Sequence, residues 1–201
     1  EMLSIFVTIL VIDRLNEWRN TQQLKRRLVR EAGSRDNSTA LNAVDWLRSE
    51  SWLTIYDDNP LLAKQKLSRA YLENAYLYQA NLEDTNLYKA NLFLADLSKA
   101  NMKDAFLHRT NLDQTSLFNT DFRHAVLWNA SLRGAKYIET ARFDEKTALP
   151  DAMPCKDENG RNMMDDRGHF IYDKCWTPET DMARYTDPTH PDFWQPDWVT
   201  E

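Results

Sequence analysis

From Leu62 to Leu132 a large apolar residue returns at every fifth position without a break, fifteen times in all. It is Leu throughout except at Met102 and Phe122. Two positions earlier stands a small residue, always Ala or Thr between Ala70 and Ala130, and Asn or Asp often lies between the pair. This spacing constrains the fold more than any other feature of the chain. An amphipathic helix brings apolar residues back at three and four, and a half-buried strand at two. A strict step of five would wind the Leu residues around every face of a helix. The consistent solution is a very short strand with one small and one large inward side chain, followed by a turn. Repetition gives a solenoid whose successive coils stack at ~4.8 Å, the distance between neighbouring strands.

Units such as Ala80-Asn81-Leu82 and Ala95-Asp96-Leu97 resemble the pentapeptide-repeat family, whose motif is Ala-(Asp/Asn)-Leu-X-X. The resemblance covers residues 60–135, just over a third of the chain. It implies a mainly β fold, a right-handed quadrilateral β-helix with four units to each turn. The fifteen units then make nearly four turns.

At 201 residues the chain has room for one domain with appendages. Its net charge of −6 is segregated: residues 13–36 carry seven Lys or Arg against four acids, 60–135 nine against seven, and 136–201 eight against fifteen. A basic neck, a nearly neutral rod and an acidic tail suit different surroundings. Four glycines in the whole chain argue against glycine-rich phosphate loops, and two cysteines supply no disulfide framework.

Residues 2–12 are uncharged and mostly apolar. A bilayer-spanning helix needs roughly twenty such residues. Because the sequence begins at Glu1, the expectation is that residues are missing upstream and that this run is the last half of a transmembrane helix. A signal-peptide core would need preceding basic residues and a small-residue cleavage site. A buried helix of a soluble protein is the remaining alternative. Arg14, Arg19, Lys25, Arg26, Arg27 and Arg30 follow, which by the positive-inside rule places the repeats in the cytoplasm. Ile9, Val11, Arg14, Trp18 and Arg19 are the expected membrane-proximal residues, with Trp18 as the interfacial aromatic, and the basic run is read as facing anionic headgroups.

The helical pattern continues through Leu15, Leu24, Leu28 and Val29 to Gly33, so residues 1–32 form one unit. Residues 34–38 supply capping and turn residues, and Thr39 to Glu50 reads as a second helix with Leu41, Val44 and Leu47 on one face. A solenoid end exposes an apolar cross-section and open strand edges. The segment 33–59, with Trp46, Trp52, Leu53 and Ile55, is therefore expected to cap the N-terminal end. Residues 30–44 resemble the neck of membrane-anchored bacterial pentapeptide-repeat proteins.

With four units per turn, residues twenty apart stack, and any function must lie on outward positions. One column reads Ser68, Tyr88, His108, Trp128, and a neighbour reads Lys66, Asn86, Phe106, Val126. With Phe93 and Leu94 from the next face, residues Tyr88, Phe106, His108, Val126 and Trp128 are expected to form an aromatic interaction strip. Such exposed patches mark interfaces, although the chain's own tail is an alternative cover. Beside the strip runs a basic ladder, Arg69, Lys89, Arg109. Glu83, Lys103 and Arg123 read as stacked compensating charges, and the pairs Asn81/Asn101 and Asn91/Asn111 as amide ladders.

The five-step pattern fails after Leu132, and Ala141-Arg142-Phe143 is one residue out of register. Within 136–201, Leu149-Pro150-Asp151 and Trp176–Met182 resemble segments at the ends of related membrane-anchored proteins, which makes 154–175 an insertion, a hairpin turning at Asn159-Gly160. Cys155 and Cys175 are a candidate disulfide by loop length, opposed by the cytoplasmic assignment, and their state stays open. Thr177-Pro178-Glu179 suggests a short helix from residue 178, and Phe193, Trp194 and Trp198 are expected to dock on the solenoid or a partner.

His108, His124, His169 and His190 have no metal spacing, and no nucleophile motif occurs. The chain is therefore read as a non-enzyme with no cofactor and no small-molecule substrate. The best-known members of the resembled family protect DNA gyrase through a DNA-like acidic rod. This rod is short and slightly basic, so nucleic acid is not an expected partner, and a soluble gyrase- or nucleic-acid-directed protein is the runner-up. The leading expectation is a membrane-anchored scaffold or protein-interaction module, an accessory subunit of a membrane complex.

Overall fold

Each five-residue unit closes on itself through one tight turn. In the unit at Leu67, the Ala70 N–H donates to the Leu67 carbonyl at 3.0 Å, and Arg69 between them has φ +64°. The same positive φ recurs at every fifth residue from Lys64 to Gly134, as a β-turn of this class requires at its third position. Asn, Asp or Gly fills several of these sites, and Gly134 most tightly: a Cβ there would lie 2.8 Å from Gln114 Nε2. The structure is a computed structural model describing residues 2–57, 60–164 and 170–199, with side chains from Leu10 onward.

Single-residue parallel bridges join residues twenty apart, from Lys66 with Asn86 through Ser116 with Lys136. Between coils the Leu67 N–H donates to Asn86 O at 2.8 Å and the Asn86 N–H to Gln65 O at 2.9 Å, and this pattern repeats along the rod. The repeats thus coil into a β-helix solenoid with four units to a turn. The large residues Leu62 to Leu132 and the small ones between Ala70 and Ala130 are all buried. Where the small residue is Thr, its hydroxyl bonds a carbonyl: Thr85 to Leu62 O, Thr110 to Leu87 O and Thr120 to Leu97 O, each at 2.8 Å. A buried hydroxyl without such a partner would be costly.

Two helices close the N-terminal end. Helix α1 spans Met2–Ala32 and α2 Asn37–Ser49. The Asp36 carboxylate caps α2 by accepting from the Thr39 N–H and hydroxyl and from the Ser38 hydroxyl. These bonds hold its pKa below the ordinary value. The helix thus starts at Asn37, two residues before the Thr39 expected from sequence, because Asp36 rather than Ser38 is the cap. Leu28 and Ala32 pack with Ala40, Ala43, Val44 and Leu47 over the rod. Open edges are met by backbone: the Tyr71 N–H donates to Ser34 O at 2.7 Å, and the Asn81 N–H to Leu53 O at 2.9 Å. Leu53 is buried in this cap, while Trp46 and Ile55 are exposed. Arg27 lies over the Trp46 ring and Lys25 over Trp52. Residues 10–20 of α1 stand clear of the body. Among the described residues no helix is long and apolar enough to cross a membrane.

Beyond Leu132 the register slips. Asp121 pairs with Arg142 and Val126 with Ala148, 21 and 22 residues apart. A 3₁₀ turn, Ile138–Thr140, entered through Tyr137 at φ 62°, takes up the first extra residue. The extension is irregular. Antiparallel bridges join Pro154 with Tyr172, Lys156 with Asn162 and Met164 with Phe170, and Gly160 turns the hairpin at φ 75°. Helix α3 is Ala183–Thr186. The helix expected from residue 178 is instead a turn, in which the Thr180 N–H donates to Thr177 O at 3.0 Å. The extension also closes the C-terminal end: the Asn129 N–H donates to Pro150 O at 2.7 Å and the Gly134 N–H to Thr186 O at 2.6 Å.

Candidate interaction surface

With both ends capped, the outward residues of the coils remain. The twenty-residue stacking brings Tyr88, His108 and Trp128 into one continuous pile. Ring centroids are 5.3 Å apart for Tyr88 and His108 and 4.1 Å for His108 and Trp128, with interplanar angles of 18° and 23°. Phe106 tilts against His108 at 6.0 Å, and Val126 bridges to Phe106 on the next coil. His108 Nδ1 sits 2.9 Å from Trp128 O. Burial pushes the His108 pKa down, and Arg109 and Lys89 add to this. The imidazole is thus favoured in its neutral form, as a stacking ring.

Phe93 and Leu94 lie around the corner on the adjacent face, in the columns of Asp113 and Gln114, and Leu94 is 44% exposed despite its φ of +58°. Arg69, Lys89 and Arg109 occupy successive left-handed turn positions at the same corner, at φ 64°, 57° and 56°. None of them takes part in an ion pair among the described residues. The amide ladders form, with Asn111 Nδ2 donating to Asn91 Oδ1 at 3.0 Å and Asn101 Nδ2 to Asn81 Oδ1 at 3.3 Å. The charges at 83, 103 and 123 find other partners. Glu83 accepts from Asn101, Lys103 lies 3.9 Å from Asp104, and Arg123 pairs with Asp121 at 2.6 Å.

The extension meets the strip at one end only, in its described contacts. Tyr172 lies 6.1 Å from Trp128, and the Trp198 indole N–H donates to Asn129 O at 2.8 Å. Trp194 packs edge-on against Tyr185 at 5.9 Å, within the extension itself. Of Phe193, Trp194 and Trp198, expected to dock on the solenoid or a partner, Trp198 hydrogen-bonds to the solenoid; the contact of Tyr172 is not legible in sequence, since no period links it to Trp128. The knot that holds the extension is not legible there either. Asp151, with a side chain only 6% exposed, accepts from Lys174 Nζ at 2.8 Å and the Tyr185 hydroxyl at 2.7 Å, with Arg184 at 3.5 Å. Another missed feature is His124, whose Nδ1 is 3.2 Å from Asp104 and Nε2 2.9 Å from Asp144. The twenty-residue spacing of 104, 124 and 144 was the available signal.

Cys155 and Cys175 are free thiols, both half-buried. Burial, then the neighbouring Cys155, pushes the Cys175 thiol up. Val11, Arg14, Trp18 and Arg19 are exposed on α1, whereas the Ile9 side chain and His169 lie outside the described residues.

The family profile described as pentapeptide repeats matches residues 66–104 and 90–129, with eight copies. A search of curated proteins finds no match. Among solved structures, the chain is similar to the pentapeptide repeat protein Rfr23 of the cyanobacterium Cyanothece 51142, at 32% identity over 43% of this chain and 54% of that one, with a TM-score of 0.22. It is also similar to HetL of Nostoc sp. strain PCC 7120, described as involved in heterocyst differentiation regulation, at 24% identity over 51% and 61%, TM-score 0.20. A pentapeptide repeat protein of the Arabidopsis thaliana thylakoid lumen matches at 18% identity over 37% and 70%, TM-score 0.20. The chain thus spans about half the length of Rfr23. Within residues 66–129, the repeated units of this chain thus match the pentapeptide-repeat profile.

Proposed function

We propose that the protein is a non-catalytic scaffold held at a membrane by α1, whose rod of nearly four turns offers its aromatic and basic corner to a protein partner. The observation that carries the reading is the shape of α1. A helix of 31 residues is about 46 Å long. Among its described side chains, Leu24, Leu28 and Ala32 in its C-terminal part pack on the cap. Leu10, Val11, Ile12, Leu15 and Trp18 are each about half exposed or more, with no protein surface against them. An apolar helix end followed by cations and a Trp fits a lipid interface. The repeat domain then lies on the cytoplasmic side, as an accessory component of a membrane complex.

Fractionation tests the anchor. Full-length chain made in bacteria should sediment with membranes, stay there in high salt and be released by detergent. Recovery in the soluble fraction without detergent would overturn it. Ile12→Asp should shift the chain towards the soluble fraction without altering the β signal of the rod.

A further inference from the structure

The aromatic and basic corner has a charge pattern that folding does not explain. Residues 66–69, 86–89, 106–109 and 126–129 make up one face through four successive coils, and they contain no acid at all. Arg69, Lys89 and Arg109 form the one outward column of the rod with three cations in succession. Coils are ~4.8 Å apart, and like charges directly opposite on neighbouring strands are destabilising. The nearest acids on the adjacent face are already engaged. Glu73 accepts from the Tyr71 hydroxyl at 2.8 Å and from Asn91 at 3.3 Å, while Asp113 accepts from the Ser131 hydroxyl and from the Arg133 N–H at 2.9 Å.

The rings beside the column also have a direction. His108 is stacked on both faces, by Tyr88 and Trp128, while Lys89 Nζ lies 5.1 Å from the Tyr88 centroid and Tyr172 lies 6.1 Å from Trp128 at the other end of the pile. What they present sideways is ring edges. Aromatic edges carry the positive part of the quadrupole, whereas the faces are negative. A column of edges beside a column of cations favours carboxylates. Nucleobases, in contrast, bind single-strand platforms through an open ring face.

We propose that this corner binds an extended acidic segment of a partner protein, laid along the rod axis. From Arg69 to Arg109 is two coil steps, about 10 Å. On one side of an extended chain, side chains recur every second residue, at about 6.6 Å, which is between one and two coil steps and within the reach of long Arg and Lys side chains. Carboxylates spaced along one side of an extended peptide can therefore meet the cations of the column, with the ring edges flanking them. This rests on the reading of the corner as a docking surface, and is independent of the membrane anchor.

The test uses the full chain, in detergent where needed, and a fluorescein-labelled peptide of about twelve residues in which Glu alternates with Thr, ~40 Å when extended. The matched Lys–Thr peptide and an oligothymidylate of the same length are the comparisons. The variant combines Arg69→Gln, Lys89→Gln and Arg109→Gln. Gln already occupies the same turn position at Gln79 and Gln114, with φ of +58° and +61°, so the coil geometry is retained and circular dichroism checks it. Expected is salt-sensitive binding of the Glu–Thr peptide, weakened about tenfold or more in the triple variant, with the Lys–Thr peptide inert. Equal binding by the triple variant, absence of binding, or preference for the oligothymidylate would each overturn the proposal. So would self-association of the protein that the triple variant abolishes, since the occupant would then be a second copy. Failure of fractionation with intact peptide binding would remove the anchor alone, and the reverse result would remove this inference alone.

Discussion

Phe122 is the one aromatic ring in the inward column of large residues, and it is fully buried. Its centroid lies 5.6 Å from that of Phe143 at an interplanar angle of 10°, and Phe143 lies 6.0 Å from Trp176 at 22°. The three rings join the last coils of the rod to the irregular extension. Phe122→Ala deletes a buried phenyl group and leaves a cavity between coils that are pinned by their own hydrogen bonds. Such truncations cost about 3–5 kcal/mol. Phe122→Leu restores the residue used in the other units, and loses only part of the volume plus the ring pairing, about 1–2 kcal/mol. Urea unfolding followed by far-ultraviolet circular dichroism reads the difference. Solenoid coils couple only to their neighbours, so midpoint and slope are to be read separately. Limited proteolysis in the hairpin reports whether the extension is released before the rod. The Ala variant should lose the extension first, whereas the Leu variant should keep it. An Ala variant with a midpoint within about 0.5 kcal/mol of the parent, and an extension still protected, would refute the stack as the joint.

The remaining predictions follow from single sites. Leu94 is held at φ +58°, a region that costs a branched L-residue about 1 kcal/mol but suits Asn. Leu94→Asn should raise the urea midpoint while removing an exposed apolar residue of the strip, and a lowered midpoint would count against the strain. Trp128→Glu should loosen the contact with Tyr172, seen as faster protease cleavage near residue 172, with the β signal unchanged. Unchanged cleavage would show that the extension does not depend on that ring.

Acid sensitivity has a definite sign. For Asp151, burial acts to raise the pKa, but Lys174 and Tyr185 outweigh it and hold it below the ordinary value. For Asp121 burial is outweighed by Arg123, and for Asp144 by the His124 and Lys146 N–H groups. A carboxyl depressed in the folded state stabilises fully above its unfolded value of about 3.9, and this is lost as pH falls through the folded value. Stability should therefore begin to fall below about pH 6.5, where the unfolded chain takes up the proton that half-buried His108 resists, and fall further below about pH 4 as these carboxyls are protonated. Asp151→Asn should lower stability at neutral pH and shrink that acid loss. A midpoint constant down to about pH 3 would contradict the ion-pair account.

The rod was legible because every contact in it repeats. A step of five marks Leu67 or Leu87 as inward, and a stack of twenty places Tyr88 under His108 and His108 under Trp128. The C-terminal third offers no such rule. Asp151 meets Tyr185 across 34 residues and Trp198 meets Asn129 across 69, and neither separation recurs elsewhere. Those contacts come from how one particular tail wraps one particular end. Side-chain partners were also harder to read than columns. Arg123 sits above Lys103 and Glu83 as expected, yet Asp121, two residues back on its own coil, is the closer and better-shaped partner at 2.6 Å. The N-terminal cap lies between these cases: helical periodicity located α2, while Trp46 faces outward under Arg27, where cation and ring offset the exposure.

The central claim is that function lies on one lateral corner of the rod. Photocrosslinking from two faces of the full chain tests it most directly, with p-benzoylphenylalanine placed at Tyr88 or, on another face, at Phe118. Both are aromatic outward positions, so the fold tolerates the probe equally. Crosslinking in intact membranes should yield a defined adduct from position 88 alone, mapped by mass spectrometry to an acidic segment and lost in the triple Gln variant. Equal adducts from both positions, or an adduct from 118 alone, would contradict the account.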